Sequence, residues 1–250
     1  MKPLNSYSLP GRINLYVRSV LFLGVMVVMT FILGPVVLLR RNASFEANYP
    51  VLKLWVRAVL GALDKICGLR YEVQGAENIP ADRNGVILSK HQSAWETFAF
   101  LECFPPLVFL LKQELLRIPV WGWALARCEP IAIDRSARSA ALKELLRQGQ
   151  ERLNKGRWVV MFPEGTRVAP GHKGKYAGSG GMLAQRAGCP VVPVAHNSGR
   201  FWLRKSIVKL PGVIQVRIGP PIDAGQYSAQ EIVALAENWI ESQMAEIDIG

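Results

Sequence analysis

A histidine and a carboxylate stand five residues apart, just after a short apolar run. His91 and Glu96 lie in the stretch LSKHQSAWET, and the chain contains only three histidines. An imidazole titrates near neutral pH and can act as a base there, while a neighbouring carboxylate can orient it. We interpret His91 as a candidate general base and Glu96 as its partner.

The five-residue spacing restricts how these two side chains can meet. On an ideal helix it corresponds to a rotation of about 140°, so the two positions would not share a face. His91 therefore has to lie in the turn before a helix that contains Glu96. Ser93-Ala94-Trp95-Glu96 also matches a capping box, in which the glutamate accepts the Ser93 N–H. The glutamate thus has two compatible roles, helix capping and imidazole orientation.

A second polar motif follows another apolar run, Trp158–Phe162. After Pro163 it reads Glu164, Gly165, Thr166 and Arg167. Glycine permits close backbone approach, threonine offers a hydroxyl, and the planar arginine fork suits a phosphate. Ligands of α/β sheets gather beyond the carboxyl ends of strands. We therefore expect this loop to be a phosphate clamp in the same site as His91.

Short apolar runs alternate with helical patterns from Tyr71 onward, which predicts an α/β fold. Its central sheet is expected to be mixed, largely parallel and flanked by helices. Predicted strands are Tyr71–Val73, Val86–Ser89, Leu107–Leu111, Pro130–Ile133, Trp158–Phe162, Val191–Ala195 and Val213–Ile218. Predicted helices cover 94–103, 113–127, 137–154 and 179–187, and Ser228 with Glu231 caps a last helix.

The segment from Ser19 to Leu39 is 21 residues long and carries no charge. That length suffices to cross a bilayer core of about 30 Å, so we predict membrane attachment over the alternative of a buried core helix. Arginines flank the segment on both sides, so the positive-inside rule does not decide its orientation. Gly34-Pro35 raises the alternative that the segment dips into one leaflet and returns.

A second N-terminal helix is predicted from Val51 to Cys67, opened by Pro50 and closed by Gly68. These features predict two domains. Residues 1–68 would hold the membrane-anchoring helices, and residues 69–250 the α/β domain.

Composition favours an anionic partner. The net charge is +11 and half of the residues are hydrophobic. Nucleic acid, anionic membrane lipids and phosphorylated substrates all fit such a charge, but no recognisable nucleic-acid-binding motif is present. The four cysteines show neither a CxxC pair nor metal-ligand spacing, which predicts reduced thiols in a cytosol-facing protein and no metal site.

Taken together, His91-x4-Glu96 and the hexapeptide Phe162–Arg167 resemble the glycerolipid acyltransferase family, specifically its 1-acylglycerol-3-phosphate O-acyltransferases. The hexapeptide matches the family's third block unaltered, and the resemblance covers roughly residues 70–220. The family usually has aspartate where this chain has Glu96. Two softer blocks also match: Lys112-Gln113-Glu114-Leu115 leading to Ile133-Asp134-Arg135, and Val192-Pro193-Val194.

The resemblance implies transfer of a fatty acyl group from acyl-CoA or acyl-carrier protein to the sn-2 hydroxyl of lysophosphatidic acid, giving phosphatidic acid. It adds Arg135 and Lys112 to the expected phosphate-binding residues. It implies no cofactor and places the protein at a bacterial-type inner membrane, with the catalytic domain facing the cytoplasm. Because the thioester stores the free energy and the substrate hydroxyl is the nucleophile, no metal, ATP or enzyme serine is required.

Several alternatives stay open at this point. The acceptor could be glycerol 3-phosphate or another lysolipid. A different class is a basic, membrane-tethered nucleic-acid-binding protein, and a third is an inactive scaffold, which only the aspartate-to-glutamate change favours. Trp121 and Trp123 could line an acyl groove, although core packing is the favoured interpretation.

Overall fold

The computed structural model describes residues 4–134 and 137–248. Its helices are α1 (Leu9–Leu39), α2 (Phe45–Ala62), α3 (Glu96–Cys103), α4 (Trp121–Ala126), α5 (Arg138–Asn154), α6 (Ser179–Ala187) and α7 (Ala229–Ile247). Its strands are β1 (Leu69–Gln74), β2 (Val86–Ser89), β3 (Leu107–Lys112), β4 (Ile131–Ile133), β5 (Trp158–Met161), β6 (Val191–His196) and β7 (Gly212–Ile218).

The strands form one seven-stranded sheet in the order β1-β7-β6-β2-β5-β3-β4. Every neighbouring pair is parallel except β6 with β7. Strands β2 and β5 are buried along their whole length, as expected for strands covered on both faces. The predicted mixed, largely parallel sheet is confirmed.

The helix predicted over 113–127 is interrupted. A 3-10 turn covers Gln113–Arg117, and α4 begins only at Trp121. Pro119 lacks a backbone N–H, and the residue before a proline is driven to extended dihedrals, which Ile118 adopts with ψ of 122°. Val120 then takes a left-handed φ of 61°, so the chain turns sharply before α4.

The two N-terminal helices also differ from the prediction in their bounds. Helix α1 has 31 residues, begins after the Ser8 cap and continues through Pro35 without a break. Helix α2 begins after Ser44, whose side chain accepts the Ala47 N–H, so Pro50 lies inside it. A π-helical turn, Leu63–Cys67, follows, and the predicted stop at Gly68 is present with a left-handed φ of 65°.

Helix α1 is long and apolar enough to cross a membrane, by length and composition. Only 17% of its most apolar 18-residue window is buried within the protein. Phe22 and Val37 belong to its buried side, whereas Val17, Val28 and other large apolar side chains are exposed. Helix α2 packs against α1, and the Trp55 indole donates to Thr30 Oγ1 at 3.1 Å.

Residues of α1, α2 and the sheet share one hydrophobic core. Phe22 and Val56 belong to the same buried cluster as Leu88 and Val160. On the C-terminal side, α7 packs on β6 and α6, and the predicted Ser228–Glu231 capping box at its start is present. The helices therefore hold the carboxyl ends of the central strands in fixed positions.

Candidate active site

Three adjacent strands deliver polar residues to the same edge of the sheet. Strand β2 lies between β5 and β6 and runs parallel to both. His91 follows β2, Glu164 follows β5, and Ser198 follows β6. Since the carboxyl ends of parallel strands lie together, these side chains converge. The Glu164 Oε2 atom accepts the His91 backbone N–H at 3.0 Å, so the two sequence motifs meet directly.

The His91 ring lies in contact with Glu96. Its Nδ1 donates to Glu96 Oε1 at 2.8 Å, and the ring stacks on Phe162 with centroids 4.0 Å apart. His91 sits in the turn before α3 and Glu96 is the first residue of that helix, which solves the spacing problem. Because Nδ1 carries a proton toward the carboxylate, Nε2 is the nitrogen left to accept one. The His91 side chain is 15% exposed and lines a cavity, so a substrate can reach it.

Glu96 itself is fully buried among hydrogen-bond donors. Its carboxylate accepts the backbone N–H groups of Gln92 and Ser93, each at 2.9 Å. It also accepts the hydroxyls of Ser93 at 2.8 Å and Ser198 at 3.1 Å. Burial alone would raise the pKa of Glu96, but the imidazoles of His196 and His91 and the hydrogen bonds lower it to about 2. The carboxylate is therefore a fixed negative charge beside the His91 ring.

One of the two hydrogen bonds of the predicted Ser93–Glu96 capping box is present. The carboxylate does accept the Ser93 N–H, but the Ser93 hydroxyl accepts from Trp95 N at 2.9 Å instead of from Glu96 N. Helix α3 consequently starts at Glu96, two residues later than predicted. One carboxylate thus binds both the loop backbone and the imidazole.

Glu164 does not face the cleft as a phosphate ligand would. Its side chain is 0% exposed, and Oε1 accepts Lys90 Nζ at 2.9 Å and Gly174 N at 3.0 Å. The next residue, Gly165, has a φ of 67°, which a side chain would strain. Together they turn the chain so that Thr166 and Arg167 project toward the cavity, which both residues line. The loop is tied to His91 a second time, because Val168 N donates to the His91 carbonyl at 2.8 Å.

Arg167 and Lys112 line the cavity that His91 opens into. Arg204 lines it as well and donates to the Arg167 carbonyl at 3.0 Å. These side chains place positive charge around a site that can receive an anionic group. Arg135, the remaining residue expected to bind phosphate, lies outside the described residues.

The cavity is large and mostly apolar. It measures about 520 Å³, and apolar side chains of α2, α3, β3 and α4 form much of its wall. The expectation of core packing for both tryptophans is wrong. Trp121 lines the cavity, whereas Trp123 is 50% exposed, because residues two positions apart on helix α4 point to nearly opposite sides. Such a space suits a long hydrocarbon chain more than a sugar or a base.

Sequence reasoning missed Lys90 and Ser198. Both are buried and both contact the carboxylates around His91. His196, to which no chemistry was assigned, is also fully buried and donates from Nε2 to the Lys90 carbonyl at 2.9 Å. Burial lowers the pKa of His196. The indication available in the sequence was that Lys90 and Ser198 follow the apolar runs that form strands β2 and β6.

The polar side chains and backbone groups around His91 form hydrogen bonds with one another. Within residues 4–134 and 137–248, no three His, Cys, Asp or Glu side chains lie close enough together to hold a metal ion. All four cysteines are free thiols.

Comparison with known proteins identifies the family. The acyltransferase family profile matches residues 70–197, the part of the chain that holds His91, Glu96 and the Glu164 loop. A 1-acyl-sn-glycerol-3-phosphate acyltransferase of Pseudomonas aeruginosa is 46% identical over 92% of this chain and 91% of its own length. This chain belongs to the acyltransferase family. The resemblance predicted from the two motifs is confirmed.

Other acyltransferases match over nearly the whole chain. The human 1-acyl-sn-glycerol-3-phosphate acyltransferase alpha is 30% identical over 90% of this chain and 76% of its own length. The crystal structure of a 1-acyl-sn-glycerophosphate acyltransferase from Thermotoga maritima superimposes with a TM-score of 0.77 at 25% identity, covering 94% of this chain and 96% of that one. The N-terminal helices are therefore part of the matched structure.

Proposed function

We propose that the protein transfers a fatty acyl group from a thioester to the sn-2 hydroxyl of 1-acylglycerol 3-phosphate and so makes phosphatidic acid. One observation carries this proposal within the acyltransferase family. A buried His91–Glu96 pair opens into an apolar cavity of about 520 Å³ that Arg167 also lines. The base, the space for a hydrocarbon chain and the cation for a phosphate thus belong to a single site.

The His91 ring performs the proton transfers. Nε2 takes the proton of the substrate hydroxyl while its oxygen attacks the thioester carbonyl carbon. The tetrahedral intermediate collapses, the carbon–sulfur bond breaks, and the imidazolium returns the proton to the departing thiolate. Glu96 keeps the proton on Nδ1 and stabilises the imidazolium by its charge, with 2.8 Å between Nδ1 and Oε1.

The substrate phosphate is proposed to bind Arg167, Thr166, the Gly165 backbone and Lys112. Gly165, Thr166 and Arg167 lie in the loop after β5, and Lys112 is the last residue of β3. All four line the cavity. For Glu164 we propose a positioning role in place of phosphate contact, since its side chain is fully buried and both oxygens accept hydrogen bonds from the protein. Arg135 stays a predicted phosphate ligand on the family resemblance alone.

The decisive experiment is an acyl-transfer assay with purified protein in detergent. Lysophosphatidic acid and an acyl thioester are supplied, and phosphatidic acid is measured for the wild type and for His91→Ala. The proposal predicts product only with the wild type. Glycerol 3-phosphate and neutral lysolipids serve as competing acceptors, and acyl-CoA is compared with acyl-carrier protein as donor. No product with any of these acceptors would refute the proposed function, and preference for another acceptor would correct it.

We further propose that α1 and α2 associate with the cytoplasmic leaflet of the inner membrane, where the positive charge would meet anionic lipids. Helix α1 contacts the α/β part of the chain at two places, Ser19 in its first half and Gly34 near its C-terminal end. Ser19 Oγ accepts Lys209 N at 2.9 Å, and Gly34 lies against Val120. These two contacts hold the helix along the domain, which favours a position in one leaflet over one that projects through the bilayer. The boundary between residues 68 and 69 stays a prediction.

The orientation can be measured by thiol labelling of sealed cells. Asn5→Cys reports on the chain before α1, and Gln230→Cys on α7 is a matched control on the α/β part. The one-leaflet arrangement predicts that a membrane-impermeant maleimide labels both only after permeabilisation. Labelling of Asn5→Cys alone in intact cells would show instead that α1 spans the membrane.

A further inference from the structure

Lys90 is a fully buried cation beside the proposed base, and nothing in the acyl-transfer step uses it. It follows strand β2 and directly precedes His91, and its side chain is 1% exposed. A lysine is almost never buried to this extent without partners, because desolvating an ammonium group is costly. Its position next to the catalytic histidine and its burial together call for a specific role.

Three acceptors, two from the Arg167 loop and one from helix α7, satisfy the Lys90 ammonium group. Nζ donates to Glu164 Oε1 at 2.9 Å, to Glu241 Oε1 at 2.9 Å and to the His172 carbonyl at 3.0 Å. An ammonium group has three N–H donors, so its hydrogen-bonding capacity is filled. Glu164 and His172 lie on either side of Arg167 in the loop between β5 and α6, and Glu241 lies on the C-terminal helix α7.

The same carboxylates pass this constraint on to the active site. Glu164 uses its second oxygen to accept the His91 N–H at 3.0 Å, and Glu241 accepts the Tyr176 hydroxyl at 2.9 Å. Lys90 thus joins the Arg167 loop to α7 by direct hydrogen bonds, and Glu164 extends the connection to the His91 backbone. Two carboxylates share one lysine, so removal of that lysine would leave both without their cation, the fully buried Glu164 and the 21% exposed Glu241.

We propose that Lys90 and Glu241 are positioning residues that hold the Arg167 loop in register with His91, so that helix α7 takes part in organising the active site. This inference rests on the proposed function only for its kinetic consequences. A displacement of about 1 Å between a base and a bound substrate is enough to cost about 100-fold in rate. The hub formed by Lys90, Glu164 and Glu241 prevents such a displacement.

The chain offers a matched control on the same two elements. Lys173 belongs to the Arg167 loop and Glu237 lies one turn before Glu241 on α7, and their side chains form an ion pair at 2.7 Å. This pair is 53% and 25% exposed, in contrast to the buried Lys90. Surface pairs of this kind contribute little to stability, so Lys173→Met and Glu237→Gln should leave activity within about twofold of the wild type.

Steady-state kinetics per folded molecule test the proposal, with the folded fraction measured by near-UV circular dichroism. Lys90→Met should lower kcat/KM for lysophosphatidate about 100-fold, through both a lower kcat and a higher KM. Glu241→Gln retains an acceptor oxygen and should lose about tenfold. In the Lys90→Met background, Glu241→Gln should restore activity because it removes one unpaired charge. Equal losses in both backgrounds, or variants no weaker than the Lys173 and Glu237 controls, would overturn the proposal.

Hydrogen exchange gives a readout that does not depend on activity. In Glu241→Gln, which keeps Lys90 and its bond to Glu164, backbone amides of residues 164–174 should exchange faster than in the wild type and in Glu237→Gln. Unchanged protection of this loop would refute the positioning role. A wild type without acyl transfer but with the expected exchange pattern would refute the proposed function and leave the hub intact.

Discussion

Two buried glutamates flank His91, and their surroundings differ in a way that separates their roles. Glu96 touches the imidazole ring, and its other partners are backbone N–H groups and serine hydroxyls. Glu164 touches the backbone of the same residue, and its charge is met by Lys90. A carboxylate without a cationic side-chain partner keeps its negative charge available to the imidazolium. A carboxylate paired with lysine positions the chain but adds little field at the ring.

The contrast between the two glutamates also divides the site by kinetic effect. The Glu96 side should govern the chemical step, because it acts on the proton of the His91 ring. The Glu164 side should govern substrate placement, because it sets the loop of Gly165, Thr166 and Arg167. Substitutions on the Glu96 side are therefore expected to leave the KM for lysophosphatidate unchanged, whereas substitutions on the Glu164 side should raise it.

Removing the residue that both glutamates hold should have the greatest effect. His91→Ala deletes the proposed general base, and kcat should fall by about 10²–10⁴ because proton removal in the transition state contributes on that order. His172→Ala is the control, since His172 is exposed and only its backbone carbonyl contacts Lys90. Initial rates of phosphatidic acid formation give both values. A His91→Ala enzyme as active as His172→Ala would exclude the proposed mechanism.

On the Glu164 side, Arg167→Ala should weaken binding of the acceptor. Loss of a charge-assisted contact to phosphate costs about 1.5–3 kcal/mol, so the KM for lysophosphatidate should rise by about 10- to 150-fold. The KM for the acyl donor, measured in the same assays, should stay unchanged. A rise confined to the donor KM would assign the loop to the thioester substrate instead.

On the Glu96 side, Ser198→Ala should lower kcat modestly. The Ser198 hydroxyl donates to Glu96 Oε2 at 3.1 Å. A hydrogen bond to a charged acceptor contributes about 1.5–3 kcal/mol. Part of this stabilisation should persist in Ser198→Ala, because four other donors still bind the Glu96 carboxylate. We expect a loss of about tenfold in kcat at unchanged KM for lysophosphatidate. Ser198→Thr, which retains the hydroxyl, should recover most of the rate. A raised KM for lysophosphatidate with a normal kcat would show instead that Ser198 acts on substrate placement and not on the chemical step.

Acid should remove a stabilising contribution that belongs to Glu96. Its pKa lies at about 2 in the folded protein against an ordinary value of 4.5, so this contribution is complete above pH 4.5 and is lost as the pH falls toward 2. Thermal unfolding of the wild type and Glu96→Gln in detergent measures it. The wild type should be the more stable of the two at pH 6, and the difference should narrow toward pH 3. A difference independent of pH would indicate that Glu96 is not ionised in the folded state.

Local sequence patterns were sufficient to predict the central sheet and the two motifs of the site. The uninterrupted apolar runs of β2 and β5 place His91 and Glu164 after neighbouring strands, and both strands appear within one residue of their predicted bounds. The prediction of one helix over 113–127 was wrong, because it followed the apolar periodicity and ignored the extended conformation that Pro119 imposes on Ile118. The start of α2 was wrong because Ser44 caps the helix earlier and Pro50 is tolerated inside it.

The residues that position the site could not be read from sequence, because their partners are remote. Ser198 is 102 positions from Glu96, and Glu241 is 151 positions from Lys90. Nothing in the local pattern around Lys90 distinguishes a buried lysine from a solvated one. The order of strands β5, β2 and β6, together with the packing of α7 on β6, brings these side chains together.

Kinetics of Glu96→Gln and Glu164→Gln, measured side by side with lysophosphatidate, test the division of roles most directly. Both substitutions remove one charge from a fully buried carboxylate next to His91. Glu96→Gln should lose kcat at unchanged KM for lysophosphatidate, whereas Glu164→Gln should raise that KM as well as lower kcat. The opposite pattern, or the same pattern in both variants, would contradict the assignment of Glu96 to the chemical step and Glu164 to substrate placement.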